Sequence, residues 1–560
     1  MTYEVITNTE NAINLLKSFP TDTPTFSDIE TDGLYGYIRL IQVYNPTVSP
    51  TVYILDMDYL DNLDEYIKPL WTVFHNASYD FGCLGYTTDR FDDTQYLARS
   101  AYPQWQKFDL ATVVDRLVGP ELYEGLDKKA LQKAGFIKGA YLSKPQLKYS
   151  ATDVYALEII FNDNMITKCR DILAYKVDIL ALKYSVRYQN NKILVDQTAV
   201  RTELDNLVAD IEKNSIILGT LNCNSPKQVK EALGTESSDK STLIKEIGKG
   251  STLAKAVYDQ RRLLKRRTML ESYNYPWVQT KFNPAGAATG RFTSTGKNVY
   301  RGINAQQIPR DLQYIFNKNT EDTVVIHADY STAELRAGCS IMGDETMYDH
   351  LKQGIDLHRV AATFALTDKR PEDITKQERI AGKAVSFGFI FGMSANSFVE
   401  YAYMNFGVKF TPEEAKTIRD NYLRTYKQIG QYAQRWWKDY KKVMVTTPMG
   451  RRNKARLGTD AINFATQGCI AETIKLAVHY MVKEDERALT YIYNVVHDAA
   501  YLRVPNGEEK YWGDLLARNM ILAWKEICKL DMLKFKDIEM PVDLEYTDPN
   551  TGEHIEIAKV

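Results

Sequence analysis

The chain has 560 residues, 44% hydrophobic and 25% charged, an ordinary balance for a globular protein and enough length for about three or four domain-sized units. Its formal net charge of −2 gives no bulk sign of a polyanionic partner, though a near-neutral total can contain a local basic groove. Six scattered cysteines without a CxxC pair exclude a zinc ribbon or disulfide framework, and neither a leader at Met1–Pro20 nor a run of ~18 apolar residues is visible, so a reducing cytoplasm is the expected compartment.

In chain order, the first ~160 residues alternate strand-like and helix-like segments, predicting an α/β domain. Pro24 to Glu30 reads as a strand, Ile38 to Tyr44 as its apolar partner and Trp71 to His75 as another short strand. Helical patterning runs over Gln146 to Asn164 and continues from about Met165 to Tyr273. Within it, Asn224-Ser225-Pro226 marks a helix start, with a capping serine and proline at the first helical position. From Lys281 the sequence changes to Gly-rich turns and isolated strands. Thr323 to Asp329 and Tyr491 to Asp498 are β-branched runs ending on an acid, separated by a helical block over about Asp344 to Lys442.

The acids carry the first chemical signal. Asp28 and Glu30, two apart in a strand, emerge on one face. Alone, such a pair is a solvated strand edge. Three further pieces change the reading: Asp80 directly after a short apolar strand, then Asp93-Thr94, then Tyr149 and Asp153 one helical turn apart. In order and spacing these residues resemble the DEDD exonucleases with a tyrosine in the third motif, over about 130 residues. The resemblance implies that Asp28, Glu30, Asp80 and Asp153 hold two metal ions and that Tyr149 orients the attacking water. The chemistry needs that charge density, since paired cations activate water and neutralise the leaving oxygen of a phosphodiester.

The second half resembles DNA polymerase family A, the polymerase I type. Asp329-Tyr330-Ser331-Thr332-Ala333-Glu334 matches the first palm motif and Val496-His497-Asp498 the third. The resemblance implies metal ligation by Asp329, the Tyr330 backbone carbonyl and Asp498, with Glu334 beside the incoming sugar. Many relatives place a glutamate directly after the second aspartate, whereas Ala499 stands here. Between the motifs, Arg379, Lys383, Phe387 and Phe391 recur every fourth residue, so one helix is expected to show all four on a broad face. Cations followed by an aromatic shelf suit a nucleoside triphosphate, and the family's finger helix has this pattern. Phe387 in place of tyrosine predicts poor acceptance of dideoxynucleotides. Asp356-Leu357-His358 resembles the segment whose histidine touches the triphosphate.

Thr289-Gly290-Arg291 with Asn304 to Pro309, Thr447 to Arg452, and Asn463-x3-Gln467 resemble segments along primer and template. The expected DNA contacts are Arg291, Gln306, Arg452, Asn463, Gln467 and His497. Arg291, Gln467 and His497 would reach the minor groove, where a degenerate acceptor pattern suits shape checking. A basic run, Arg261 to Arg267, is expected to meet the duplex backbone in a salt-dependent way.

The resemblance spans Asp28 to Asp498. It implies an α/β, ribonuclease H-like exonuclease domain over 1–165 and a right-hand polymerase over 166–560. The expected thumb is about 185–275, the α+β palm about 280–343 and 455–560, and the fingers about 344–454. Two Mg²⁺ per site, with Mn²⁺ able to substitute, primer–template DNA, a single-stranded 3′ end, dNTPs and a monomer are expected. With no N-terminal flap-nuclease region or long thumb insertion apparent, the layout resembles a bacteriophage replicative enzyme. The competing readings are an RNA-making relative, opposed by Glu334 with Phe387, a nuclease whose polymerase half only binds primer–template, and a non-catalytic binding module.

Overall fold

The computed structural model describes residues 1–366, 368–547 and 554–556. Near the N-terminus, six strands form one sheet in the order Thr2–Ile6, Thr51–Asp56, Tyr37–Tyr44, Pro24–Asp32, Trp71–Phe74 and Arg90–Asp93. Pro24–Asp32 runs antiparallel to Tyr37–Tyr44 and parallel to Trp71–Phe74. Both faces are covered, as the alternation requires: Leu40 faces one apolar cluster and its neighbour Ile41 the other. The helix Lys144–Phe161 crosses one face, started by a capping box between Ser143 and Gln146 with proline in its first turn.

The helix Leu173–Tyr188 serves two cores at once. Tyr175, Leu182 and Val186 join the N-terminal core, while Ala174, Val177, Ala181, Tyr184 and Tyr188 join the larger C-terminal one. At the same junction Asp178 accepts from Arg451 (2.8 Å) and Lys475 (2.6 Å), and Arg451 also meets Glu472 at 3.3 Å. Lys475 is fully buried and its Nζ also donates to the Gly290 carbonyl.

Two long helices, Gln197–Leu218 and Thr252–Ser272, pack against each other around a small separate core. A five-stranded antiparallel sheet follows, in the order Ile492–Val496, Ala499–Pro505, Thr323–Tyr330, Val542–Thr547 and His554–Glu556. The helices Gly458–Glu484 and Glu509–Cys528 pack together beside it.

The structure differs from the sequence expectations in the following elements. Tyr491 ends a short helix, the strand is only Ile492–Val496, and His497 and Asp498 form its turn. The helical block breaks after Thr363 and resumes at Glu378, and Pro371 lies within the break. The Arg261–Arg267 run is largely occupied by the protein itself: Arg261 binds the Cys223 and Ser238 carbonyls, Arg266 pairs with Glu203 and Asp311, and Arg267 with Glu271. All six cysteines are free, and no described helix is long and apolar enough to cross a membrane.

Candidate active sites

On the N-terminal sheet, Asp28 and Glu30 sit opposite Gln42 and Leu40, immediately before a register slip in the strand pair. Carboxylate oxygens of Asp28, Glu30 and Asp153 lie within 4.8 Å of one another. Asp80 comes from the first turn of the helix Ala77–Leu84, entered through Asn76 in a left-handed conformation (φ 70°). Asp93 is not a member of the acid group. Its oxygens accept from the backbone of Asn76 (3.1 Å) and Ala77 (2.9 Å), and also from Gln95 and Tyr96, so it caps two helix starts.

Four converging acids cannot ionise freely together. Desolvation, then the Asp153 charge, pushes Asp28 up to about 8. Desolvation, then Asp28, raises Glu30, and the same two causes raise Asp80. Desolvation lifts Asp153 to about 6, opposed by hydrogen bonds from Tyr123 and Tyr149. Asp80 is 1% exposed, and its Oδ1 has no hydrogen-bond partner. Asp80 stands outside the closest trio, yet its charge reaches Glu30 directly. An orphaned buried oxygen among mutually repelling carboxyls fits divalent cations, which would restore the ionised forms. Tyr149 Oη accepts from Gln132 at 3.3 Å. The sequence reading missed Tyr123, whose hydroxyl donates to Asp153. It lies in a short 3₁₀ turn after Pro120 and carries no motif of its own.

On the second sheet, Asp329 lies near the end of Thr323–Tyr330. Asp498 arrives from the turn between the neighbouring strands, with His497 at φ 54°, and Tyr330 N–H approaches the Asp498 carbonyl at 3.4 Å. The Tyr330 side chain is core, its hydroxyl donating to the Met520 carbonyl, which leaves only its backbone for the site. Thr332 at φ 53° turns the chain into the helix Ala333–Met342 and puts Glu334 in the first turn, where Arg291 donates to it at 2.8 Å. Desolvation, then Asp329, pushes Asp498 up to about 7, and desolvation also raises Asp329. Asp329 Oδ1 is buried and unpartnered, again fitting a cation. Gln306, Arg310, His327, His497 and both aspartates line one cavity of about 730 Å³. Arg310 was not anticipated, although it directly follows Pro309 of a recognised segment; its charge opposes the rise at Asp329 and helps lower His497.

Beside this site the helices Leu357–Thr363 and Glu378–Phe389 cross closely. A Cβ at Gly382 would sit 1.8 Å from the His358 carbonyl oxygen. Arg379, Lys383 and Phe387 ride on the second helix. Phe391 does not: the helix ends at Phe389, and Gly392 (φ +73°) turns the chain, so the four-residue spacing outruns the element. His358 is buried, hydrogen-bonded to Ser386 at 3.1 Å, and held down to about 4 by desolvation and then Arg379, so it is neutral near pH 7. The Phe387 ring lies 5.4 Å from it. Desolvation, then Arg379, lowers Lys383 as well. A cavity of about 720 Å³ between the two halves is lined by Arg452, Asn463 and Gln467 together with Arg99, Lys454 and Arg456. The anticipated DNA contacts thus fall in two groups, with Arg291, Gln306 and His497 beside the aspartates. The Gln306 amide donates to the Val495 carbonyl at 2.7 Å.

Two acid clusters on two separate sheets, the second in a cavity with Arg310 and His497, are the arrangement of a polymerase joined to a nuclease domain. Residues 196–547 match the family model described as DNA polymerase family A, and residues 3–164 match that of 3'-5' exonuclease. The chain belongs to DNA polymerase family A and carries a 3′-5′ exonuclease domain ahead of the polymerase domain. It is 26% identical to DNA polymerase I of Aquifex aeolicus over 97% of this chain and 98% of that protein. It is also 27% identical to DNA polymerase I of Geobacillus stearothermophilus over 41% of this chain, spanning 27% of that protein. The fold is similar to a solved POL domain of Pol1 from M. smegmatis in complex with DNA primer-template and dNTP (TM-score 0.78, 18% identity, 97% of this chain and 98% of that one).

Proposed function

We propose that the chain extends a DNA primer on a template with dNTPs at the Asp329–Asp498 centre and shortens a single-stranded 3′ end at the Asp28, Glu30, Asp80 and Asp153 centre. The observation that carries this reading is the pair Asp329 and Asp498, brought together by strand end and turn, in one cavity with Arg310 and His497. Mg²⁺, replaceable by Mn²⁺, is the proposed ion at both centres, where it would supply positive charge to activate an oxygen nucleophile and to stabilise the leaving oxygen. Arg379, Lys383 and neutral His358 would hold the triphosphate, while Phe387 and Phe391 bound the base and sugar. Glu334, fixed by Arg291, would fill the space of a 2′-hydroxyl. Tyr149 would orient water at the nuclease centre, with Asp153 held by Tyr123. Arg291, Gln467 and His497 would reach the minor groove near the primer terminus, and Gln306, Arg452 and Asn463 would make further contacts to primer–template DNA.

In this reading residues 1–165 are the exonuclease, about 185–275 the thumb, about 280–343 and 455–560 the palm, and about 344–454 the fingers. A monomer in the cytoplasm is proposed. Replication of a bacteriophage genome is the proposed setting, on the direct succession of nuclease and polymerase units; the relatives named above are bacterial enzymes.

Extension of a labelled primer with Mg²⁺ and four dNTPs tests the reading. Wild type should extend and Asp498→Ala should not, whereas Asp28→Ala should abolish shortening and keep extension. Ala499 favours one second reading, a nuclease with a non-synthesising primer–template platform. No extension by the Asp28→Ala chain would establish that reading in place of ours.

A further inference from the structure

Asp329 has two directly opposite neighbours in its sheet: Ala499 on one flanking strand and Asp543 on the other. Directly opposite residues of an antiparallel pair share a face, with Cβ atoms roughly 4.5–5.5 Å apart. The three positions therefore form one row across the sheet, a methyl, a carboxylate and a carboxylate. Like charges set opposite each other destabilise a sheet unless something between them needs the charge. Asp543 is among the groups that raise Asp329.

Protein cations relieve this opposition from a distance only: His327 and Arg310 lower Asp329, and neither hydrogen-bonds its carboxylate. The Oδ1 atoms of Asp329 and Asp543 are both buried without a hydrogen-bond partner. Arg336 senses the Asp543 charge, but its guanidinium is committed to Ser331 O, Thr332 Oγ1 and Glu539 O. The Asp543 strand is fastened to the site, since Pro541 O accepts from Ser331 N at 2.8 Å in the loop leading to the Glu334 helix. Two orphaned oxygens on adjacent carboxylates are the arrangement that a shared cation completes.

We propose that Asp543 supplies a third carboxylate to the polymerase metal site, delivering from one side of Asp329 the negative charge that Ala499 withholds on the other. This rests on the reading of Asp329 and Asp498 as metal ligands. It also accounts for how synthesis continues with alanine at 499: the charge has moved across the sheet instead of being lost.

The test measures Mn²⁺ binding, by the electron paramagnetic resonance of free Mn²⁺, to the chain complexed with a dideoxy-terminated primer–template and dNTP. Asp28→Ala and Asp153→Ala are present throughout to silence the nuclease centre. Asp543→Asn should weaken polymerase-site Mn²⁺ binding about tenfold and raise the Mg²⁺ needed for half-maximal primer extension by about the same factor. Adding Ala499→Glu to Asp543→Asn should restore both. Asp543→Glu, which keeps the charge, should lose less Mn²⁺ affinity than Asp543→Asn; an equal loss in the Glu and Asn variants would mark a packing role and overturn the proposal. Unchanged Mn²⁺ affinity in Asp543→Asn, or no rescue by Ala499→Glu, would overturn it too. Asp329→Asn is the control: if it also leaves Mn²⁺ binding intact, the underlying two-aspartate reading has failed, whereas intact binding in Asp543→Asn alone rejects only the third carboxylate.

Discussion

Arg379 donates from Nε to the Asp356 carboxylate at 2.6 Å, so the cation suited to meet a triphosphate is tethered by an acid. The other oxygen of Asp356 caps the helix that carries His358, accepting from the backbone of His358 and Arg359. One carboxylate thus sets both the aim of Arg379 and the start of the neighbouring helix.

Replacing Asp356 with asparagine separates the two duties, because asparagine caps helices as well as aspartate does. The Asp356→Asn chain should melt within about 2 °C of wild type. Its KM for dNTP should rise about three- to tenfold with kcat nearly unchanged, since a charge-assisted tether is lost. An unchanged KM under single-nucleotide extension conditions would show that Arg379 needs no such tether.

The nuclease carboxyls predict a pH dependence of stability without metal. Asp28 and Asp153 titrate near 8 and 6 in the fold, above the ordinary carboxylate value of 3.8. Between those limits the folded chain holds protons that the unfolded chain releases, so stability falls as pH rises from about 4 to 8. In EDTA, the N-terminal domain should melt about 5 °C lower at pH 8 than at pH 5.5. Asp28→Asn should flatten this slope, and so should added Mg²⁺. Calorimetry in both conditions provides the check, and a wild-type slope retained in Asp28→Asn would count against it.

Asp178 balances two buried cations, Arg451 and Lys475, and despite its burial they hold its carboxyl below the usual range. Asp178→Ala would strand Lys475 and leave Arg451 with Glu472 alone, at a cost of about 3–5 kcal/mol. Because the helix joins both cores, both domains should lose thermal stability together. A loss confined to the polymerase domain, seen by domain-resolved hydrogen exchange, would contradict that coupling.

Phe387 has no hydroxyl to replace the 3′-OH missing from a dideoxynucleotide. Phe387→Tyr should raise ddNTP incorporation relative to dNTP about 10- to 100-fold, the worth of one hydrogen bond in a desolvated site. Competition between ddNTP and dNTP on one template measures it directly. Equal discrimination by both chains would place the Phe387 ring away from the sugar.

What was legible in the sequence depended on how locally each feature is encoded. Asp28 with Glu30, and Tyr149 with Asp153, follow from strand and helix periodicity, and those pairs come together in the fold. Phe391 was misplaced because the spacing continues past a helix that Gly392 turns aside. Asp93 looked like a site acid and instead caps helices, a role set by the backbone amides it meets. Asp543 and Tyr123 were invisible for another reason: each becomes relevant only through a neighbour distant in the chain, across a strand pair or a helix surface. The domain border at about 165 likewise could not reveal that Leu173–Tyr188 belongs to both sides.

The contact of Gly382 with the His358 carbonyl has a mechanical consequence. At Gly382 the two helices meet backbone to backbone, and His358 is bonded to Ser386 farther along, so they cannot slide past each other without a clash or a lost bond. His358, Arg379 and Lys383 are therefore carried on one rigid lever. Any motion admitting a nucleotide would carry all three together, so on the proposed function a triphosphate would meet its contacts as a set rather than one at a time.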